Sequence, residues 1–180
     1  MDLLKRGHSL KEGRKMEADF RQGSESSLTG MEFVESVSPS MRSVEAVMLE
    51  VAQSEVPVLL LAEDGAGKKA TACRIHELSR RRGQCFRLFS CSDFEHVVGG
   101  DVFLGEGTVF LAELAELNAQ GQAGLLHWLT GADLAGGKTN GRGTPRVARL
   151  ICGSARDLEA EVKKGNLRED LYYRISGVCL

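Results

Sequence analysis

Val56-Pro-Val-Leu-Leu-Leu61-Ala-Glu-Asp-Gly-Ala-Gly-Lys-Lys69 is the stretch that decides the fold. Its first six residues are apolar and rich in Leu and β-branched side chains. Such a run is stable as a strand only when both faces are covered. Ala62–Lys69 then has the form x-x-x-G-x-G-K. Ala70-Thr-Ala-Cys-Arg-Ile-His-Glu-Leu78 follows, with apolar residues at helical spacing. Strand, Gly-containing loop, Lys and helix is the context a phosphate-binding loop requires. Glycines let backbone N–H groups close around phosphate oxygens, and the helix N-terminus adds partial positive charge. The phosphate reading assigns the cradle to Glu63, Asp64, Gly65, Ala66, Gly67, Lys68, Lys69 and Ala70. Two residues depart from the usual motif. Ala62 stands at its first Gly, where positive φ would cost Ala roughly 1 kcal/mol. Lys69 stands where a Ser or Thr hydroxyl usually meets magnesium. An ordinary strand–turn–helix, with glycines serving the turn, also fits these residues.

The rest of the composition narrows the class. The chain has 180 residues, enough for one domain with a sizeable core. Hydrophobic residues make up 42% and charged residues 27%, as in a water-soluble globular chain. The net charge of -2 gives no global case for nucleic acid or an anionic membrane as partner. No apolar run approaches the roughly 20 residues that span a bilayer. Met1-Asp-Leu-Leu-Lys-Arg-Gly7 lacks the apolar stretch of a signal peptide. Cys73, Cys85, Cys91, Cys152 and Cys179 show no C-x-x-C spacing, so they read as reduced, mostly buried thiols of a cytoplasmic protein. No zinc site is expected.

Residues 1–30 are polar and mixed in charge, and read as a tail or linker. Residues 31–180 read as the domain. Ser38 is the expected cap of a helix that Pro39 opens. Met41, Val44, Val47, Met48 and Val51 then share one apolar face. After the loop helix, Ser79-Arg-Arg-Arg82 reads as a solvated, dipole-complementing end. Cys85–Ser90, Thr108–Leu111 and Arg146–Cys152 read as strands. Gln120–Leu129 and Asp157–Lys164 read as helices, and the Gly-rich run Gly131–Gly143 as a loop or hairpin. Strands alternating with helices imply parallel βα units, hence an α/β, three-layer class.

An ordered set of motifs resembles the AAA+ domain of sigma-54-dependent transcription activators. That family's P-loop reads GESGTGKE, against AEDGAGKK over Ala62–Lys69. Its A-x-x-I-H-x-x-S-x-R helix is similar to the pattern of Ala72, Ile75, His76, Ser79 and Arg81. Its second strand ends in N-C, against Ser90-Cys91. Its Walker B segment GTLFLDEI is matched by Gly107-Thr-Val-Phe-Leu-Ala-Glu-Leu114. Q-x-x-L-L-R is matched by Gln122-Ala-Gly-Leu-Leu-His127, and R-L-I-A-A-T-N-x-D-L by Arg149–Leu158. FREDLYYRL is nearly intact as Leu167-Arg-Glu-Asp-Leu-Tyr-Tyr-Arg-Ile175. The resemblance covers about Phe33 to Leu180 and implies a P-loop NTPase fold binding ATP or ADP.

The departures fall on the chemistry. Ala112 replaces the Walker B Asp, while Glu113 remains where the family polarises its attacking water. Ala155 replaces the sensor Asn. Phe94–Gly107 leaves no room for the family's long insertion with its GAFTGA loop, so contact with sigma-54 polymerase is not expected. The chain ends before the place of the helical lid, so the lid is expected to be missing; a fragment and a short protein both fit. By the resemblance, Arg168 and Arg174 stand where arginine fingers reach a neighbouring subunit. Pairing with Glu169 or Asp170 on the same helix is the alternative. The expectation is an ATP-binding regulatory domain with weak or lost hydrolysis, poor support for magnesium, and itself or AAA+ relatives as ring partners. A nucleotide-free interaction module is the other reading.

Overall fold

A computed structural model of the chain describes residues 39–92, 106–135 and 147–180. All belong to one compact unit, Phe33–Leu180. The expected N-terminal tail, the Ser38 cap, residues 93–105 and most of the Gly-rich run lie outside the described residues.

The elements alternate: α1 (Pro39–Ala52), β1 (Val58–Leu61), α2 (Lys68–Leu78), β2 (Phe86–Ser90) and β3 (Thr108–Ala112). A 3-10 turn (Leu114–Glu116), α3 (Ala119–Ala135), β4 (Arg149–Ser154), α4 (Leu158–Lys163), α5 (Glu169–Ile175) and β5 (Val178–Cys179) follow. The strands form one sheet in the order β2-β3-β4-β1-β5, and every pair is parallel. Parallel strands need crossovers, and the helices supply them.

Strand periodicity builds three layers from these short runs. Leu59, Val109, Leu111, Leu150 and Cys152 face one side, where Leu125 of α3, Leu158 of α4 and Leu171 of α5 cover them. Val58, Leu60, Phe110 and Ile151 face the other, against Met48 of α1 and Ile75 of α2. β4 is buried at all six positions. That is why these strands carry almost no polar alternation in sequence.

Several boundaries move for physical reasons. Val56 and Pro57 precede β1; β1 is paired on both edges, where a Pro could not donate. Val47 lies off the apolar face of α1 and is exposed. α3 continues through Gly131 to Ala135, so the expected loop begins later. Helix packing outweighs the modest penalty of one Gly. Arg81 is the largest correction. Expected in solvent, it is 2% exposed, and its guanidinium meets Glu55 Oε2 at 2.8 Å and the Gly107 carbonyl at 2.8 Å.

Arg81 belongs to a polar lock at the N-terminal end of the sheet. His76 Nδ1 and Thr108 Oγ1 are 2.8 Å apart, joining α2 to the start of β3. Arg149, at the start of β4, donates to the Val51 carbonyl at 2.7 Å. The lock fastens α1 and α2 to the sheet and leaves the opposite end open.

Candidate phosphate-binding site

The C-terminal ends of β1, β3 and β4 lie side by side, because Leu61 pairs with Ser154 and Leu111 with Cys152. Open parallel sheets bind ligands at this end. Each strand hands over to one site residue: β1 leads to the loop 62–67, β3 to Glu113, and β4 to Ala155.

Gly65 and Gly67 adopt φ of +80° and +84°, and a Cβ on either would meet nothing within 4 Å. The glycines are therefore required by backbone angle and not by crowding. Gly67 is the N-cap of α2 and offers no side-chain cap. The first N–H groups of α2 thus have no intrahelical partner and carry the positive end of its dipole. Ala62 does not have positive φ; among the described residues Glu113 is the non-Gly residue that does. The condition under which Ala62 would be strained is therefore not met, and the left-handed backbone lies at Glu113.

Lys68 opens α2 and folds back over the loop. Its Nζ donates to the Ala62 carbonyl at 2.9 Å and the Glu63 carbonyl at 3.2 Å. It also lies 3.5 Å from Asp64 Oδ1 and 3.1 Å from Glu113 Oε1. The other oxygen of Glu113 accepts from the Ala155 N–H at 3.1 Å. Lys68, Glu113 and the start of the segment after β4 therefore form one chain of contacts. Glu113 has φ 53°, a left-handed conformation that costs a non-Gly residue about 1–3 kcal/mol. That twist turns its carboxylate back toward Lys68 at the mouth of the sheet.

The remaining expected residues divide. Ala66 donates its N–H to the Glu63 carbonyl at 3.2 Å and so helps shape the loop. Lys69 is exposed, and Ala70 is half-buried in the first turn of α2. Arg168 and Arg174 flank and end α5, away from the loop in sequence. The Arg168 guanidinium grips Asp170 through two hydrogen bonds, of 3.0 and 2.7 Å. Those bonds hold the Asp170 carboxyl below its usual value and raise Arg168 above its own. Arg174 is exposed. The Ala155 N–H escaped the sequence reading because a backbone donor carries no residue signature.

The residues fit a phosphate group: open glycines, orphan N–H donors and one ammonium converge. Among the described residues no group of three His, Cys, Asp or Glu side chains could hold a metal ion. Ala112, at the end of β3, brings no ligand, and both Glu113 oxygens have partners. No helix among the described residues is long and apolar enough to cross a membrane.

This geometry is that of a P-loop NTPase of AAA+ type, and known structures agree. NtrX from Brucella abortus, solved with ADP, superposes with a TM-score of 0.67 at 23% identity, over 97% of this chain and 42% of that one. The P-loop NTPase domain of the sigma-54 transport activator from E. coli gives 0.61 at 16% identity, over 81% and 95%. The Sigma-54 interaction domain family matches residues 36–180, and the chain belongs to that family. Among its relatives is the Nif-specific regulatory protein of Sinorhizobium fredii, 36% identical over 84% of this chain and 29% of that protein. The Klebsiella pneumoniae protein of the same name is 32% identical, over 82% and 32%. The chain therefore spans about a third of the length of the curated relatives it matches.

Proposed function

We propose that this domain binds an adenine nucleotide in the loop 62–70 and serves a regulator of sigma-54-dependent transcription. One observation carries the reading: within residues 65–70 the chain combines two open positive-φ glycines, an uncapped helix N-terminus and Lys68, whose Nζ folds back over the loop. Family membership supplies the regulatory context. The relatives are Nif-specific regulatory proteins by name, and one structural neighbour was solved with ADP.

Hydrolysis is weak or lost in this reading. Ala112 supplies no carboxylate for magnesium, and Ala155 no side-chain amide for a water. Losing one supporting partner of a metal typically costs about 10–100-fold in affinity or activity. Binding then runs through Lys68 and the backbone around Gly65 and Gly67, with little dependence on magnesium. Glu113 keeps a general-base position without the partners that make the position productive. Arg168 and Arg174 serve a second copy or an AAA+ relative when rings form, provided that Asp170 releases Arg168.

A second reading has its own observation. Lys68 is already satisfied by two loop carbonyls and Glu113. The loop holds itself together without phosphate, as a nucleotide-free interaction module requires. Titration of ATP and ADP, with and without magnesium, separates the two. Binding that is lost in Lys68→Ala supports the first; no binding at millimolar nucleotide supports the second. Robust magnesium-dependent turnover refutes the claim of weak hydrolysis.

A further inference from the structure

Gln122 lies in the first turns of α3 with 4% of its surface exposed. Its Nε2 donates to the Leu117 carbonyl at 2.8 Å and to the Asn166 carbonyl at 2.7 Å. Its Oε1 accepts from the Arg168 N–H at 2.9 Å. Both donors of the carboxamide, and one side of its oxygen, are thus committed to backbone groups of two segments, the turn just before α3 and residues 166–168.

Those segments matter to the site. Leu117 closes the 3-10 turn that Glu113 caps, with its N–H on the Leu114 carbonyl at 3.1 Å and the Glu116 N–H on the Glu113 carbonyl at 2.9 Å. Asn166 and Arg168 lead into α5. The nearly buried Glu161 carboxylate fixes the far side of that segment, accepting from Lys164 at 2.8 Å and Asn166 Nδ2 at 2.8 Å. The Arg168 side chain is set by Asp170, but its backbone is set by Gln122.

We propose that Gln122 is the positioning residue for Arg168, and that it couples the Glu113 turn to the surface Arg168 presents to a second copy. The coupling to a second copy rests on the nucleotide-binding reading above. A phosphate reaching Lys68 competes with Glu113, whose carboxylate then shifts. The short hydrogen-bonded turn carries that shift to the Leu117 carbonyl, and Gln122 passes it to residues 166–168. From the Glu113 backbone onward the path runs through direct hydrogen bonds: the two bonds of the turn and the three of Gln122.

The test is residue-resolved hydrogen exchange on the whole chain, with and without saturating ATP. Gln122→Met keeps the length of the side chain while removing its donors and acceptor. Without nucleotide, the Arg168 protection factor should fall about tenfold, roughly what one net hydrogen bond carries, with β3 and β4 unchanged. In the wild type ATP should alter protection at Arg168; in Gln122→Met that response should vanish while ATP affinity stays within about twofold. Gln122→Glu is the second variant. Its carboxylate still accepts from the Arg168 N–H but repels the Leu117 and Asn166 carbonyls that Gln122 donates to; protonation restores one donor, so protection at Arg168 should rise as pH falls. Unchanged Arg168 protection in both variants overturns the positioning role. An ATP response at Arg168 that is absent from the wild type, or that survives Gln122→Met, overturns the coupling. Direct ATP titration of the wild type tests the nucleotide-binding reading separately, and sedimentation of Arg168→Ala with ATP tests the second-copy role. If self-association is untouched there while the exchange results hold, the second-copy role falls and the joint at Gln122 stands.

Discussion

The two ends of the sheet both concentrate charge, but they treat it differently. At the N-terminal end, Arg81 and Arg149 are each 2% exposed and donate to carbonyls on separate elements: Gly107 for one, Val51 for the other. Arg149 also meets the C-terminal carbonyls of α1, where the helix dipole favours a cation. At the C-terminal end, Lys68 bonds to its own loop and to carboxylates open to water, with Asp64 86% and Glu113 29% exposed. Partners fixed in the core make a lock. Partners that a phosphate oxygen can replace make a site. Both ends use a cation on backbone carbonyls; what separates structure from function is whether the partners can leave.

Glycine substitution should break or sharpen this contrast most. At Gly107, φ is +119° and a Cβ would stand 2.2 Å from the Cys85 carbonyl oxygen. That carbonyl is fixed by the Thr108 N–H at 2.9 Å, and the Gly107 carbonyl accepts from the Arg149 N–H at 2.9 Å. Neither can yield. Gly107→Ala should cost about 4 kcal/mol or prevent folding, by a backbone clash and forbidden φ together. Gly65→Ala meets open space and should cost only about 1 kcal/mol. Urea unfolding of the two variants measures the difference; equal losses would remove the distinction between the ends.

The arginine and lysine variants come next. Arg81→Met should cost about 3 kcal/mol, the lower end for breaking a buried pair, because Glu55 can return to water. Lys68→Met should change stability by less than about 1 kcal/mol, because its carboxylate partners are part-exposed. It should abolish nucleotide binding instead. A large stability loss in Lys68→Met would mean that the loop is structural, in favour of the nucleotide-free reading.

The sequence made most of the sheet legible because β1, β3 and β4 carry apolar runs, and burial on both faces explains Val58–Leu60, Val109–Leu111 and Leu150–Cys152. The loop between β1 and α2 was legible through Gly65, Gly67 and Lys68, the first two with positive φ and the third opening the helix. Three things were not. The direction of Arg81 was hidden among Arg80, Arg81 and Arg82. A turn with Arg82 N–H on the Ser79 carbonyl at 3.3 Å accompanies the inward swing of Arg81, while Arg80 and Arg82 stay exposed. The left-handed backbone at Glu113 was not legible, because backbone angles are not written in residue type. The bonding of Gln122 was not: the resemblance marks its position, but nothing along the chain tells that its carboxamide meets three backbone groups.

The smallest expected effect is on pH dependence, and it separates the ends by protonation alone. His76 lies at the N-terminal lock, bonded to Thr108 and packed 5.4 Å from the Phe86 ring. Burial lowers its pKa below 6.5, with smaller lowering from the Arg149 and Arg81 cations; the Gln84 backbone and Glu77 oppose this. The folded chain therefore keeps His76 neutral where the unfolded chain would protonate it. Stability from His76 is full above about pH 6.5 and falls as pH drops from there toward its lowered folded value. Unfolding midpoints at pH 7.5 and 5.5 should show a larger acid loss for the wild type than for His76→Gln, which cannot titrate. Asp170 and Glu161, whose carboxyls are also lowered, remain in both proteins, so the difference isolates the imidazole. Hydrogen exchange should locate the loosening at the start of β3 and the end of α2, with the loop 62–67 unaffected. A greater acid loss in His76→Gln than in the wild type would reverse the sign and show that the imidazole is charged within the lock.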